Sequence, residues 1–210
     1  MKVAIIANGD FFQSMIDLPK GGRLIAVDGG GRHCLKLGLS PEVIIGDLDS
    51  LMAFELTELE SRGAKMIRYP IDKDETDLEL ALDYALDQGA SEITLYGLLG
   101  GRWDMTISNL MLLASPRFAG INFRVIEGNT EMFILRGGET IDLSGQPGDN
   151  VSVIPLDGNV QGLTYDGLKW PLKNADLSFG TPRGVSNQFL KETAQLNLND
   201  GTALVIVIHL

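Results

Sequence analysis

Up to about residue 120 the chain alternates short apolar runs with stretches of helical period, and this restricts its folds more than any other feature. Val3–Ala7, Leu24–Val27, Val43–Ile45, Lys65–Tyr69 and Ile93–Tyr96 read as strands. Helices are predicted between them over about 31–38, 51–62 and 76–88. In the last of these, Leu78, Ala81, Leu82, Ala85 and Leu86 share one face, Thr76 and Glu79 have capping-box spacing, and Gly89 closes the segment. A fourth helix is predicted from about Asp104 to Ala114, stopping before Pro116. Strands that alternate with helices build a mainly parallel sheet covered on both faces.

After residue 120 the pattern changes to short strands separated by Gly, Asn, Asp and Pro. Candidates are Asn122–Glu127, Glu131–Leu135, Glu139–Leu143, Val151–Pro155, Leu168–Leu172 and Ala203–His209, with turn signals at Gly128-Asn129, Gly137-Gly138, Asp157-Gly158-Asn159 and Asp200-Gly201. The expectation is an α/β N-terminal half, residues 1–120, followed by an all-β sandwich-like C-terminal half, residues 121–210. With 210 residues, 44% of them hydrophobic, the chain can bury a substantial core.

The net charge of −11, from 17 basic and 28 acidic residues, argues against a sequence-independent grip on nucleic acid and against an anionic membrane surface. No apolar stretch reaches the length of about 18 residues that a membrane-spanning helix needs. The first apolar run reads as a strand rather than a signal peptide, so a cytoplasmic location is expected. The single cysteine, Cys34, reads as a small buried hydrophobe, and no Cys/His cluster suggests zinc.

The chemistry concentrates where strands end. Asp28-Gly29-Gly30 follows the second strand, and Gly46-Asp47-Leu48-Asp49-Ser50 the third. Asp72-Lys73-Asp74-Glu75-Thr76-Asp77 follows the fourth strand, and Gly100-Gly101-Arg102-Trp103-Asp104 the fifth. Ligands of parallel α/β sheets bind beyond the carboxyl ends of strands. Each acid alone reads better as a cap or turn residue, and it is the set that points to a metal-phosphate site. Carboxylates at this density repel one another unless a hard cation offsets them, and Mg²⁺ takes carboxylate and phosphate oxygens together. Asp47 and Asp49, two apart in an extended segment, would point the same way and share one cation. Asp77 opens a helix, where it would cap or coordinate. Lys73 would meet a phosphate as a point charge and Arg102 bidentately, with glycine backbone close by. Asn8-Gly9-Asp10 would add amide contacts or simply turn the chain.

The chain contains neither G-x-x-x-x-G-K-[ST] nor a G-x-G-x-x-G after the first strand, which excludes a Walker-type loop and a Rossmann dinucleotide site. The β half offers Gly167-Leu168-Lys169-Trp170 and Ser186-Asn187. Trp170 reads as packing or as a platform for a flat cation.

Taken together, these segments resemble the thiamin pyrophosphokinase family over nearly the whole chain. Asp28-Gly29-Gly30 is similar to its A-D-G-G segment, Gly46–Ser50 to G-D-x-D-S and Asp72–Asp77 to D-K-D-x-T-D. Gly100–Asp104 with Asn109 is similar to G-G-R-x-D-H-x-x-x-N, and Gly167–Trp170 and Ser186-Asn187 to G-L-K-W and S-N. The resemblance implies transfer of the terminal diphosphate of ATP to the hydroxyl of thiamin, with Mg²⁺ and release of AMP. It also implies a homodimer with active sites near the subunit interface. It assigns Asp47, Asp49 and Asp77 to the metal and, with Arg102, to catalysis. Asn8, Asp28, Gly29, Lys73, Asp74, Thr76 and Gly101 go to ATP, and Asp104, Asn109, Trp170, Ser186 and Asn187 to thiamin. Residues 1–120 would then be the ATP- and Mg-binding catalytic domain and residues 121–210 the thiamin-binding domain. Met105 departs from the pattern, which has His or Gln there; a thioether can neither donate a hydrogen bond nor exchange a proton. Transfer to another heterocyclic alcohol of the hydroxymethylpterin type, or binding of thiamin or nucleotide without catalysis, stands as the alternative.

Overall fold

A computed structural model describes residues 1–18 and 20–210, which divide into two compact units. The first comprises Met1–Leu112 with Gly120–Gly128, the second Leu113–Ala119 with Asn129–Leu210.

The first unit runs β1 (Lys2–Ile6), β2 (Arg23–Val27), α1 (Gly30–Lys36), β3 (Val43–Gly46), α2 (Ala53–Ser61), β4 (Lys65–Arg68), α3 (Asp77–Asp87), β5 (Glu92–Tyr96), α4 (Trp103–Ala114) and β6 (Asn122–Glu127). Its strands lie in the order β6-β5-β1-β2-β3-β4, and every pairing is parallel. In β1 and β2 the last four residues are all buried, as strands covered on both faces must be. Ala4, Ile6, Ala26 and Ile44 of the sheet share one apolar cluster with Cys34 of α1 and Leu59 of α2. The chain steps outward from β1 to β4 on one side, then returns to β5 and β6 on the other. The reversal leaves a crevice between the carboxyl ends of β1 and β5. Asn122–Glu127, expected among the turn-separated strands of the β part, is instead the sixth parallel strand, paired with β5.

The second unit contains β7 (Thr130–Arg136), β8 (Thr140–Ser144), β9 (Asn150–Pro155), β10 (Val160–Asp166), β11 (Ala175–Leu177), β12 (Asn187–Gln188), β13 (Thr193–Asn197) and β14 (Thr202–Ile208). Two antiparallel layers, β12-β9-β14-β7 and β11-β10-β13-β8, enclose a core that includes Leu135, Val153, Leu163, Phe189, Leu196 and Val205. Buried and solvent-facing residues alternate along β9 and β13, the mark of strands with one covered face.

Leu168–Leu172 is not a strand. Leu168 makes a lone bridge to Phe189, and the chain then leaves the ladder. Gly167, at φ +82°, turns the chain there, and Pro171 has no N–H to give a ladder. The strands over Val160–Asp166 and Thr193–Asn197 were not anticipated. In the first, Gly162 at φ +68° breaks the alternation within an irregular register; the second has two apolar residues among five.

Candidate active site

The crevice between β1 and β5 is a cavity of about 360 Å³, lined among others by Asn8, Asp28, Asp77, Gly100, Met105 and Asn109. Three acids meet at its edge. Asp28, Asp47 and Asp77 each offer an oxygen, and the three oxygens lie within 4.8 Å of one another. Oxygens on opposite sides of a Mg²⁺ ion stand about 4.2 Å apart, so the set has the right size for one hard cation.

Local backbone geometry puts them there. Asp28 follows β2 at φ +45°, with its N–H donating to Ile45 O and its own carbonyl accepting from Gly31 at the start of α1. It is 7% exposed; Oδ2 accepts from Asn8 Nδ2 at 3.3 Å, whereas Oδ1 is buried without a hydrogen-bond partner. A Cβ on Gly29 would lie 2.1 Å from Asn8 Oδ1, so a side chain there would displace the Asn8 amide from Asp28. Asp47 follows β3, and its Oδ1 accepts the Asp49 N–H at 3.1 Å.

The segment 47–49 is therefore not extended. Leu48 sits at φ +64°, turns the chain, and drives its side chain into the core beside Leu51. Asp49 consequently stands exposed and outside the group of three; the sharing of one direction by Asp47 and Asp49 fails for this reason. Sequence reasoning placed Asp28 on the nucleotide rather than with the acids. Its signal, Asp before two glycines at a strand end, says nothing about which neighbouring strand's acid it will face.

Asp77 is the first residue of α3, whose N-cap Thr76 accepts the Glu79 N–H at 3.2 Å. Burial pushes the Asp77 carboxyl upward, Lys73 opposes the shift, and Asp47 and Asp28 add to it. Lys73 Nζ stands 3.0 Å from Asp77 Oδ1 and donates to Pro70 O. Asp74 is exposed. Arg102 and Asp104, both exposed, engage each other: Nε to Oδ1 at 3.0 Å and Nη2 to Oδ2 at 2.5 Å, which holds the Asp104 carboxyl down at about 2. Gly101 is open to solvent, with no atom within 4 Å of a Cβ built there. Asn109, expected near thiamin, is buried in the first unit's cavity and donates from Nδ2 to Leu98 O at 3.2 Å.

Two groups escaped the sequence reading. Glu127, at the end of β6, accepts the N–H groups of Leu98 at 2.5 Å and Leu99 at 3.2 Å, so it braces the glycine turn that lines the cavity. Burial pushes its carboxyl up to about 7. Thr106 accepts the Gly100 N–H from the other side at 3.3 Å. A single Glu at a strand end carries no motif that would disclose such a contact.

In the second unit a recess of about 200 Å³ is lined by Tyr165, Trp170, Leu172, Arg183, Val185 and Asn187 among others. Asn187 clamps Trp170 through both backbone groups: Oδ1 accepts its N–H at 3.0 Å and Nδ2 donates to its carbonyl at 2.7 Å. Lys169 Nζ lies 4.8 Å from the centroid of the Trp170 ring and donates to Gln188 Oε1. Ser186, at φ +64°, is exposed and donates its N–H to Ser152 Oγ.

A family model described as thiamin pyrophosphokinase, catalytic domain, matches residues 20–125, and one described as thiamin pyrophosphokinase, vitamin B1 binding domain, matches residues 139–202. The thiamine pyrophosphokinase of Bacillus subtilis (strain 168) is 30% identical over 182 residues, 87% of this chain and 85% of that protein. The crystal structure of thiamine pyrophosphokinase from Bacillus subtilis aligns with a TM-score of 0.87 at 26% identity, covering 100% of this chain and 99% of that one. The structure of a thiamin pyrophosphokinase family protein from Enterococcus faecalis gives 0.85 at 28% identity, covering 99% of each.

Proposed function

The chain belongs to the thiamin pyrophosphokinase family, and from that premise we infer that it is an ATP-dependent diphosphotransferase forming thiamin diphosphate and AMP. The thiamin hydroxyl oxygen attacks the β-phosphorus, the bond from that phosphorus to the oxygen bridging it to the α-phosphorus breaks, AMP leaves with the bridging oxygen, and the hydroxyl proton passes to solvent. The observation that carries the reading is the meeting of Asp28, Asp47 and Asp77 beside the glycine-lined cavity. Mg²⁺ fits the donor set: three carboxylates of the right spread, one of them with a buried oxygen that nothing else satisfies. Bound there, it would screen the phosphate oxygens and the charge they gain as the bond breaks.

We assign Asp47 and Asp77, with Asp28 added, to the metal, and keep Asp49 as an acid free to turn toward metal-bound phosphate. Asn8, Gly29, Lys73, Asp74, Thr76 and Gly101 form the ATP side. Arg102 meets phosphate once it exchanges Asp104 for it, which leaves Asp104 to the cationic acceptor. For thiamin we keep Asn109, in the first unit's cavity, and Trp170, Ser186 and Asn187, at the recess of the second unit, as the candidate contacts. Positioning and charge stabilisation suffice for this class of transfer, so no dedicated base is assigned.

We further propose a homodimer with its active sites near the interface. Trp103, Ile107 and Met111, one turn apart on α4, are 74%, 57% and 57% exposed, an apolar stripe that a second copy would cover. Among the described residues no helix is long and apolar enough to cross a membrane. A cytoplasmic location, with ATP at hand and Cys34 a free, buried thiol, completes the reading.

The test is AMP release from ATP and Mg²⁺ with thiamin present and absent. Thiamin-dependent AMP supports the assignment. Release with a hydroxymethylpterin instead would move the acceptor, and binding without AMP would make the protein a carrier. Asp49→Asn is expected to abolish turnover nearly completely with an unchanged melting temperature; near wild-type rates would remove Asp49 from the site.

A further inference from the structure

One cation in the first unit ties together two of the three acid-bearing segments without touching the cavity. Arg32 lies on α1, and its own N–H is bonded to Gly29 O, so its backbone is fixed to the turn that carries Asp28. Its guanidinium reaches across to the turn after β3, where Nη2 donates to Ser50 O at 2.5 Å. Glu55 of α2 fixes the guanidinium by a fork: Nε to Oε1 at 2.6 Å and Nη2 to Oε2 at 2.9 Å. The Glu55 carboxylate is 7% exposed and also takes the Met52 N–H, so it has little freedom to follow a different partner. From the opposite side, Asn8 Nδ2 bridges Ser50 Oγ and Asp28 Oδ2, each at 3.3 Å.

We propose that Arg32 is a positioning residue that sets the separation of the Asp28 and Asp47 carboxylates, and so tunes the affinity of the acid group for its divalent cation. The inference rests on the metal reading given above. Asp28 and Asp47 repel one another in the free protein. Besides the Asn8 amide and the backbone bond from Asp28 N–H to Ile45 O, the side-chain contacts that tie the two turns together run through one planar guanidinium, which donates to two partners at once. A lysine can replace the charge but not the fork and the third contact together. Partners that orient metal ligands from behind typically govern affinity by about tenfold to a hundredfold.

The experiment titrates the full chain with Mn²⁺, without nucleotide, by calorimetry, beside thermal melting. Wild type comes first, with Asp47→Asn as reference. No saturable binding by wild type would remove the metal reading itself. If wild type binds, Arg32→Lys is expected to bind about tenfold or more weakly. The charge swap Arg32→Glu with Glu55→Arg separates positioning from simple support of the fold. It restores the ion pair and the melting temperature, but it leaves Ser50 O without its donor and leaves Mn²⁺ affinity low. Affinity within about twofold of wild type in Arg32→Lys, or affinity that recovers with melting temperature in the swap, overturns the proposal. Should Arg32→Lys fail to fold, Glu55→Gln loosens the same fork with the packing kept, and its Mn²⁺ affinity is judged by the same limits.

Discussion

Gly46 stands beside the acids in a backbone conformation that side chains rarely adopt, φ +150°. A Cβ on it would lie 3.1 Å from Asp28 Cβ and 3.2 Å from Asp77 Cγ, so a side chain there would both strain the backbone and push the two acids aside by a few tenths of an ångström. Glu127 is the other residue whose chemistry is set by place. Its folded value, about 7, lies above the ordinary 4.5. Between these values the folded chain holds a proton that the unfolded chain has released, so stability falls as pH rises through that window and levels off above it. Glu127→Gln is expected to abolish that slope. Melting curves from pH 4.5 to 8.5 check it, and parallel profiles for the two proteins would show that Glu127 is not the group responsible. The sequence disclosed the acids by their density at strand ends, and it disclosed the Thr76 cap by its spacing to Glu79. It did not disclose Asp28 as their third member, because a left-handed turn has no pattern in a single chain when the residue is not glycine. Nor did it disclose Glu127, whose partners are N–H groups that every residue carries.

Among the elements, legibility followed periodicity. The strands β1 to β3 and β5 are solid apolar runs and the helix α3 has a clear face, so both were readable to within a residue or two. Two of the failures lie where glycine or proline bends an element: β10 broken at Gly162, and the segment after Gly167, which sheds its ladder and becomes the Trp170 turn; β13, with two apolar residues among five, simply carries too weak an alternation. That turn owes its shape to Asn187, since both backbone groups of Trp170 end on one side-chain amide. Asn187→Ala leaves them unpaired at a cost of about 1–3 kcal/mol. Chemical denaturation is expected to show that loss, and indole fluorescence a weaker response to thiamin at unchanged ATP binding. A variant as stable as wild type with the same thiamin response would make the clamp incidental.

At the scale of the whole molecule, the proposed dimer would cover the apolar stripe of α4. Trp103→Glu with Ile107→Glu places two charges on the exposed stripe of α4 and is expected to shift sedimentation from dimer to monomer, with circular dichroism showing the fold retained. A dimer unaltered by both changes would move the interface elsewhere. With the α4 stripe left intact, mixing inactive Trp170→Ala chains with inactive Asp49→Asn chains is expected to restore part of the activity if each site draws on both copies. The Trp170 turn also bears on tempo. With the Lys169 ammonium already seated on the indole, a ring arriving from the recess meets an aromatic system that a resident charge has partly claimed. As the proposed thiamin platform it would be ordered before its guest comes and would hold that guest less tightly than a bare indole. Short residence follows from loose holding, since differences in affinity are mostly differences in departure rate. If Trp170 is the platform proposed above, its turn would suit repeated passage of a ligand rather than storage.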